Sequence, residues 1–308
     1  MSDVGEPTVG RDKDVAGVFC GEHAAKRCRP CGARPERDSV RQFRLQTIYQ
    51  DIVFTHSKKR ENMSKPIYLA IASPKGGVGK TSLTVLAASI LHYHRGYDVA
   101  VVDCNHPVYT IARLRQQESE ELNPQKLMHQ KHRTPCTPYP IICAPVREAL
   151  NCVERHCADN PPRCILFDLP ALMRTEGTVE LLSAMDAVVF PVTGSPMDME
   201  AVRHFIDILG EQILTMGKGN IRELYLLRNM IEAWEREDAD ERCRTLADET
   251  GVLLMQSSLS HSRLYRPLLS ERRKGVCTLF PPHGGKLSRL CIKLGNELYE
   301  ILQRLCSE

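Results

Sequence analysis

Apolar and polar positions divide the chain at one place. From Met1 to about Glu61 the residues are polar, rich in Arg and Asp, and follow neither a two-residue nor a 3.6-residue period. At Met63 the character changes, and "MSKPIYLAIAS" leads straight into an apolar run that predicts a strand over residues 67–72. Residues 81–95 carry Leu83, Leu86, Ile90 and Tyr93 on one helical face, with Gly96 as a stop. Residues 99–102 predict a second strand, ending at Asp103. Short apolar runs at 141–144, 164–167, 187–192 and 224–227 predict further strands, and 252–255 a last one. Helical patterns cover 146–156, 197–213 and 234–248, and Leu287, Leu290, Leu294, Leu298, Ile301 and Leu305 mark an amphipathic helix near the C-terminus. Strand runs that are apolar throughout and alternate with helices imply an α/β fold, a mostly parallel central sheet with helices on both faces. The chain therefore divides into a poorly structured extension over 1–62 and a folded domain over 63–308, with Met63 as the expected true start.

The totals narrow the class of protein. With 308 residues, 42% of them hydrophobic, the chain can bury one sizeable core. A net charge of +3 gives no global attraction for nucleic acid, so such a partner needs a local basic patch. No run approaches the roughly 18 consecutive apolar residues of a transmembrane helix, and the N-terminus lacks the apolar core of a secretory signal. Thirteen cysteines, scattered through apolar and polar contexts alike, read as reduced thiols of a cytoplasmic protein and not as a disulfide framework. "CGEHAAKRCRPC" gathers Cys20, His23, Cys28 and Cys31, residue types that ligate zinc. No fold pattern surrounds them, so an unstructured arm with incidental cysteines is expected.

The strongest chemical signal is "SPKGGVGKTS", residues 73–82. Gly79, Lys80 and Thr81 fit the end of a phosphate-binding loop, G-x-x-x-x-G-K-[ST], but Pro74 stands where its first glycine belongs. The form that fits is K-G-G-x-G-K-[ST], which adds a second lysine, Lys75, at the start. Gly76, Gly77 and Gly79 let backbone N–H groups close on phosphate oxygens, and the following helix points its positive end at the same anion. Val78 and Ser82 complete the cradle, Lys80 is expected on the β- and γ-phosphates, and Thr81 on Mg²⁺. Strand ends of such a sheet line the crevice where ligands bind. "CILFDLP" places Asp168 at one, "VAVVDCNHP" places Asp103 at another, and "LLRNM" places Asn229 at a third.

This loop resembles that of the ParA/MinD family of P-loop ATPases, and the likeness runs over residues 63–308. "LHYHRGYDVAVVDCNHP", "FDLP" and "TLFPP" look like the ParA-like proteins of conjugative transposons, often called TraA. The resemblance implies an ATPase that uses ATP and Mg²⁺ and forms a homodimer on binding ATP. Lys80 would serve its own nucleotide and Lys75 the neighbour's. Asp168 looks like the family's Walker B aspartate, which holds Mg²⁺ through water; the glycine usual after that step is Ala171 here. Asp103 matches the first carboxylate of the family's D-x-D pair. The second, which orients the attacking water, falls on Asn105, whose amide cannot take a proton; hydrolysis is therefore expected to be weak. Asn229 either reads the adenine edge, as in the family, or is a plain strand-end turn.

"SRLYRPLLSERRKG" carries Arg263, Arg266, Arg272, Arg273 and Lys274. Family members bind DNA without sequence preference through basic residues on the dimer, and phosphate neutralisation fits this cluster; a solvated basic face fits it as well. Three functions are compatible with these residues. One is an ATP-dependent switch in DNA partitioning or conjugative transfer of a mobile element, working with a ParB-like regulator. A second is a MinD-like membrane-associated positioning ATPase, against which Glu297 and Glu300 speak, since they make the last helix a poor match for anionic lipid. A third, an iron–sulfur carrier, needs a C-x-x-C in the domain body, and that spacing occurs only at Cys28 and Cys31. The first is preferred.

Overall fold

The structure, a computed structural model, describes residues 65–121, 137–171, 175–217, 219–261, 277–279 and 285–307. The Cys20, His23, Cys28, Cys31 set, the 1–62 extension and the five cations from Arg263 to Lys274 lie outside the described residues.

Seven parallel strands form one sheet: β1 Ile67–Ile71, β2 Val99–Asp103, β3 Ile141–Cys143, β4 Cys164–Asp168, β5 Ala187–Val192, β6 Glu223–Ile231 and β7 Leu253–Ser260, in the order β3-β2-β4-β1-β5-β6-β7. The helices between them are α1 Lys80–Ser89, continued by a π turn Ile90–His94, α2 Thr110–Glu121, α3 Ala149–Cys157, α4 Thr178–Ser183, α5 Pro196–Met216 and α6 Arg236–Thr250. α7, Gly285–Ser307, follows the last strand.

Side chains alternate across the sheet and feed two cores. Leu69, Ile71, Val99, Val101, Leu166 and Val189 face one side, with α1, α2 and α7. Ala70, Ala100, Val102, Ile165, Phe167, Val188 and Phe190 face the other, with α3, α4, α5 and α6. Right-handed crossovers require this division, because the chain moves one way from β1 to β3 and the other way from β4 to β7. The adjacent strands β1 and β4 thus send their connections to opposite faces. A crevice opens above their carboxyl ends, where ligands bind in sheets of this kind.

Two helices of the structure lack the apolar stripe from which a sequence pattern is read. In α2 the buried positions are Ile111, Leu114 and Glu118, so a carboxylate occupies the third place of the stripe. α4 has only six residues. β6 extends beyond its apolar run through Arg228 and Asn229, and β7 because polar Gln256, Ser257 and Ser258 continue the edge strand. α6 starts at Arg236, which leaves Trp234 in the preceding turn and 82% exposed. α7 packs as core, with Cys291, Leu294, Leu298, Ile301, Leu302 and Leu305 buried, each worth about 1.5–3 kcal/mol for the large aliphatic side chains. It lies so close to the π turn that a Cβ on Gly295 would fall 2.2 Å from Ile90 Cγ2. Its Glu297 accepts the edge-strand N–H groups of Gln256 at 2.6 Å and Ser257 at 2.8 Å. No described helix is long and apolar enough to cross a membrane.

Candidate functional site

The glycine loop joins the central strand β1 to α1, above the crevice. Gly77 and Gly79 hold φ values of 80° and 87°, a region open to glycine at little cost. Gly79 has a second constraint: a Cβ there would lie 2.9 Å from Asn229 Nδ2 and 3.2 Å from Met230 Cε. Gly76 lies under Ala171, whose Cβ would be 3.6 Å from an added one. Val78 is buried, and its carbonyl accepts the Asn229 amide at 2.8 Å. Asn229 is itself buried at the top of β6, so it braces the loop from the neighbouring part of the sheet. Thr81 and Ser82 are half-buried in the first turn of α1.

The two lysines part company. Lys80 is 7% exposed, and its ammonium donates to the Lys75 carbonyl at 2.9 Å, folding the loop onto its own cation. Burial pushes its pKa down, partly offset by the negative charge of Asp168. Lys75 turns outward, half-exposed, and ion-pairs with the buried Asp198 in the first turn of α5. The Thr193 hydroxyl donates to the other oxygen of that carboxylate.

The carboxylates converge because β2 and β4 are neighbours in register, Asp103 opposite Asp168, both fully buried. Asp168 accepts Thr81 Oγ1 at 2.8 Å, Thr84 Oγ1 at 3.4 Å and Asn105 Nδ2 at 2.6 Å. Burial raises its pKa to about 7, with Asp103 adding to the rise and the Thr81 bond, Lys80 and Asn105 opposing it. Asp103 Oδ2 accepts the backbone N–H of Ile111 at 2.7 Å and of Ala112 at 3.2 Å, which caps α2. Its Oδ1 accepts the backbone N–H of Asn105 at 3.2 Å and its Nδ2 at 3.3 Å. One amide therefore bridges two buried acids.

Of the residues expected in the site, the structure brings together Gly76, Gly77, Val78, Gly79, Lys80, Thr81, Asp103, Asn105, Asp168 and Asn229. It sets Lys75 apart on Asp198. Sequence reasoning missed Thr84, Asp198 and Thr193. Thr84 was within reach of helical spacing, three residues after Thr81 on the same face. Asp198 carried no signal beyond an acid in a first helical turn. The donor set suits the groups expected here. The left-handed glycines leave backbone N–H groups free of Cβ atoms. Thr81 Oγ1 and Asp168 Oδ2 are hard oxygens side by side, as Mg²⁺ requires. Among the described residues no group of three or more His, Cys, Asp or Glu side chains could hold a metal, so phosphate oxygens and water would complete the shell.

A positive-φ glycine loop between a central parallel strand and a helix, with lysine, threonine and a strand-end aspartate beneath it, defines a P-loop nucleotide-binding α/β protein. The profile of the CobQ/CobB/MinD/ParA nucleotide binding domain matches residues 69–263, and the chain belongs to that family. Among solved structures it is similar to the MinD cell division protein of Aquifex aeolicus, at 17% identity and a TM-score of 0.50, over 76% of this chain and 97% of that one. It is similar to the septum site-determining protein MinD of Pyrococcus horikoshii OT3 complexed with Mg-ADP, at 16% identity and 0.50, over 78% and 99%. It is also similar to the McdA(D38A)–ATP complex of Cyanothece, at 16% identity and 0.50, over 79% and 97%. At these identities the likeness is one of fold. No curated protein matches the chain.

Proposed function

We propose that this protein is a ParA-like ATPase that works as an ATP-dependent dimer switch in DNA partitioning or conjugative transfer, with slow or partner-dependent hydrolysis. The observation that carries the reading is the meeting of Thr81 and Asp168, 2.8 Å apart, beneath a glycine loop that holds Lys80. Similar structures hold Mg-ADP or ATP. When bound, Mg²⁺ supplies charge stabilisation for the phosphates. The chain's own part is to hold and orient. Lys80 donates to the phosphate oxygens in place of the Lys75 carbonyl, Thr81 and Asp168 present oxygen ligands, and Asn229 keeps the loop in shape.

Two features give this chain its character. Asn105 stands where a water-orienting carboxylate is expected, and its amide is already donated to Asp103 and Asp168. A donor of that kind positions oxygen but accepts no proton, which favours slow turnover and a long-lived bound state. Lys75 is held by Asp198 on its own chain and not by its own loop, which supports a role outside its own nucleotide, on a second copy. The burial of α7 in the core favours the DNA-associated reading over a membrane-positioning one. The cluster Arg263, Arg266, Arg272, Arg273 and Lys274 would bind DNA phosphates once two copies present it together, with a ParB-like protein as regulator.

ATP turnover with and without duplex DNA, read beside sedimentation with a non-hydrolysable analogue, tests the reading. Dimerisation on the analogue, lost in Lys75→Ala while nucleotide binding persists, is expected. A Lys75→Ala protein that still dimerises tightly removes the cross-subunit role.

A further inference from the structure

A second buried polar cluster lies away from the glycine loop. Cys277 and Thr278, in the segment before α7, are both fully buried. Side chains of α1, its π turn and α2 hold them. Ser89, at the end of α1, donates to the Cys277 carbonyl at 2.6 Å, and Tyr93, in the π turn, donates to the Thr278 carbonyl at 2.9 Å. From α2, Arg115 donates to Thr278 Oγ1 at 2.6 Å and to its carbonyl at 3.0 Å. Glu118 accepts the Thr278 N–H at 2.9 Å and its hydroxyl as well. Arg115 is further fixed over the Tyr139 ring, 4.6 Å from its centroid, and on the Tyr139 carbonyl. Burying the Glu118 carboxylate to hold one threonine is expensive unless its bonds are kept, so the grip depends on the relative placement of α1 and α2.

The same two helices are joined at their other ends through the nucleotide site. Thr81 of α1 donates to Asp168, Asn105 bridges Asp168 and Asp103, and Asp103 caps the first N–H groups of α2. The bonds make a closed ring. It runs from α1 through Thr81, Asp168, Asn105 and Asp103 into α2, and back through Arg115, Glu118 and Thr278 to Tyr93. From Ile111 to Glu118 the helix is about 10 Å of continuous hydrogen-bonded rod, stiff enough to carry a displacement from one end to the other.

We propose that the two ends of this ring are coupled, so that nucleotide occupancy loosens the grip on Cys277 and Thr278. This rests on the nucleotide reading above. A ligand that engages Thr81 and Asp168 removes the upper link between α1 and α2. Without it the helices lose the register that six bonds to 277–278 require. Lys274 of the basic run stands three residues before Cys277 in the chain, so the grip acts at the root of that segment. Coupling is reciprocal: if nucleotide loosens the grip, loosening the grip favours nucleotide binding.

Amide hydrogen exchange on the full chain, with and without a non-hydrolysable ATP analogue and Mg²⁺, reads both ends at once. Peptides over 73–82 become protected, and the Thr278 N–H exchanges about 5-fold faster or more, the low end of typical coupling. Protection at 73–82 with unchanged or slower exchange at Thr278 overturns the coupling while the nucleotide reading stands. Absence of protection at 73–82 overturns both. Tyr93→Phe, which removes one hydroxyl, and Thr278→Val, which keeps the volume, each tighten analogue binding about 5-fold by fluorescence titration. A merely structural anchor lowers the melting temperature of both variants and leaves the affinity where it was.

Discussion

Buried charge is handled in two ways at two places in this molecule. Around β6, β7 and α7 buried and half-buried arginines meet carboxylates, and a half-buried carboxylate meets backbone N–H groups. Arg228 meets Asp240 at 2.7 Å and the Met255 carbonyl at 2.8 Å, Arg304 meets Glu223 at 3.0 Å, and Glu297 caps two strand N–H groups. Above β1, β2 and β4 the pairing is left incomplete. Two acids, Asp103 and Asp168, sit side by side in adjacent strands, and the buried Lys80 donates to a neutral carbonyl. The first arrangement sets each of these charges against its complement, whereas the second sets like charges side by side, poised for a ligand. The contrast separates residues that hold the fold from residues that hold something else.

The largest effect that sharpens this contrast is on rate. Asn105→Asp restores the expected carboxylate and raises steady-state phosphate release by about 10²–10⁴-fold. It also places a third acid beside Asp103 and Asp168, so the nucleotide-free variant melts lower than the natural protein at pH 8 and recovers with Mg²⁺ and nucleotide. Equal turnover in the two proteins means that another group orients the water. Next comes Asp240→Ala, which leaves Arg228 buried without its acid and costs about 3 kcal/mol in urea unfolding, with nucleotide affinity unchanged. A change in affinity there breaks the division between the two regions. Lys80→Ala acts in the opposite sense, weakening binding of a fluorescent nucleotide by about 10–100-fold with little change in urea midpoint.

The smallest effect is on stability in the absence of ligand. Burial lifts Asp168 above its unfolded value, so the protonated form is favoured in the fold. The stability this gives is present below the ordinary carboxylate range and is lost as pH rises toward about 7. Asp168→Asn cannot ionise and keeps it. The nucleotide-free variant melts higher than the natural protein above pH 7, by about 2–4 °C for each kcal/mol relieved, and the gap closes toward pH 4. Scanning calorimetry across that pH range checks it.

Much of this was legible in the sequence because the central strands are buried on both faces and read as unbroken apolar runs. The glycine loop, Thr81 and Asp168 were legible because phosphate and Mg²⁺ chemistry fixes both residue type and spacing. Asn105 could be seen as a departure, but its bridging of two acids could not, since that depends on the register of β2 against β4. α2 was missed because Glu118 fills an apolar position, and its partner Thr278 lies 160 residues on in the chain. Asp198 was missed for the same reason: its partner Lys75 lies 123 residues away in the chain.

The contact between Gly295 and Ile90 bears on the order of events during synthesis. α1 is covered on one side by the sheet and on the other by α7, the last of the described elements to leave the ribosome. At about 5–20 residues per second, the stretch between His94 and Gly285 takes roughly 10–40 s to make. Throughout that interval the outer face of α1 and its π turn, with Ile90 and Leu91, has no α7 to cover it. The nascent chain therefore carries an uncovered apolar patch, at the end of α1 far from the glycine loop, for most of its translation.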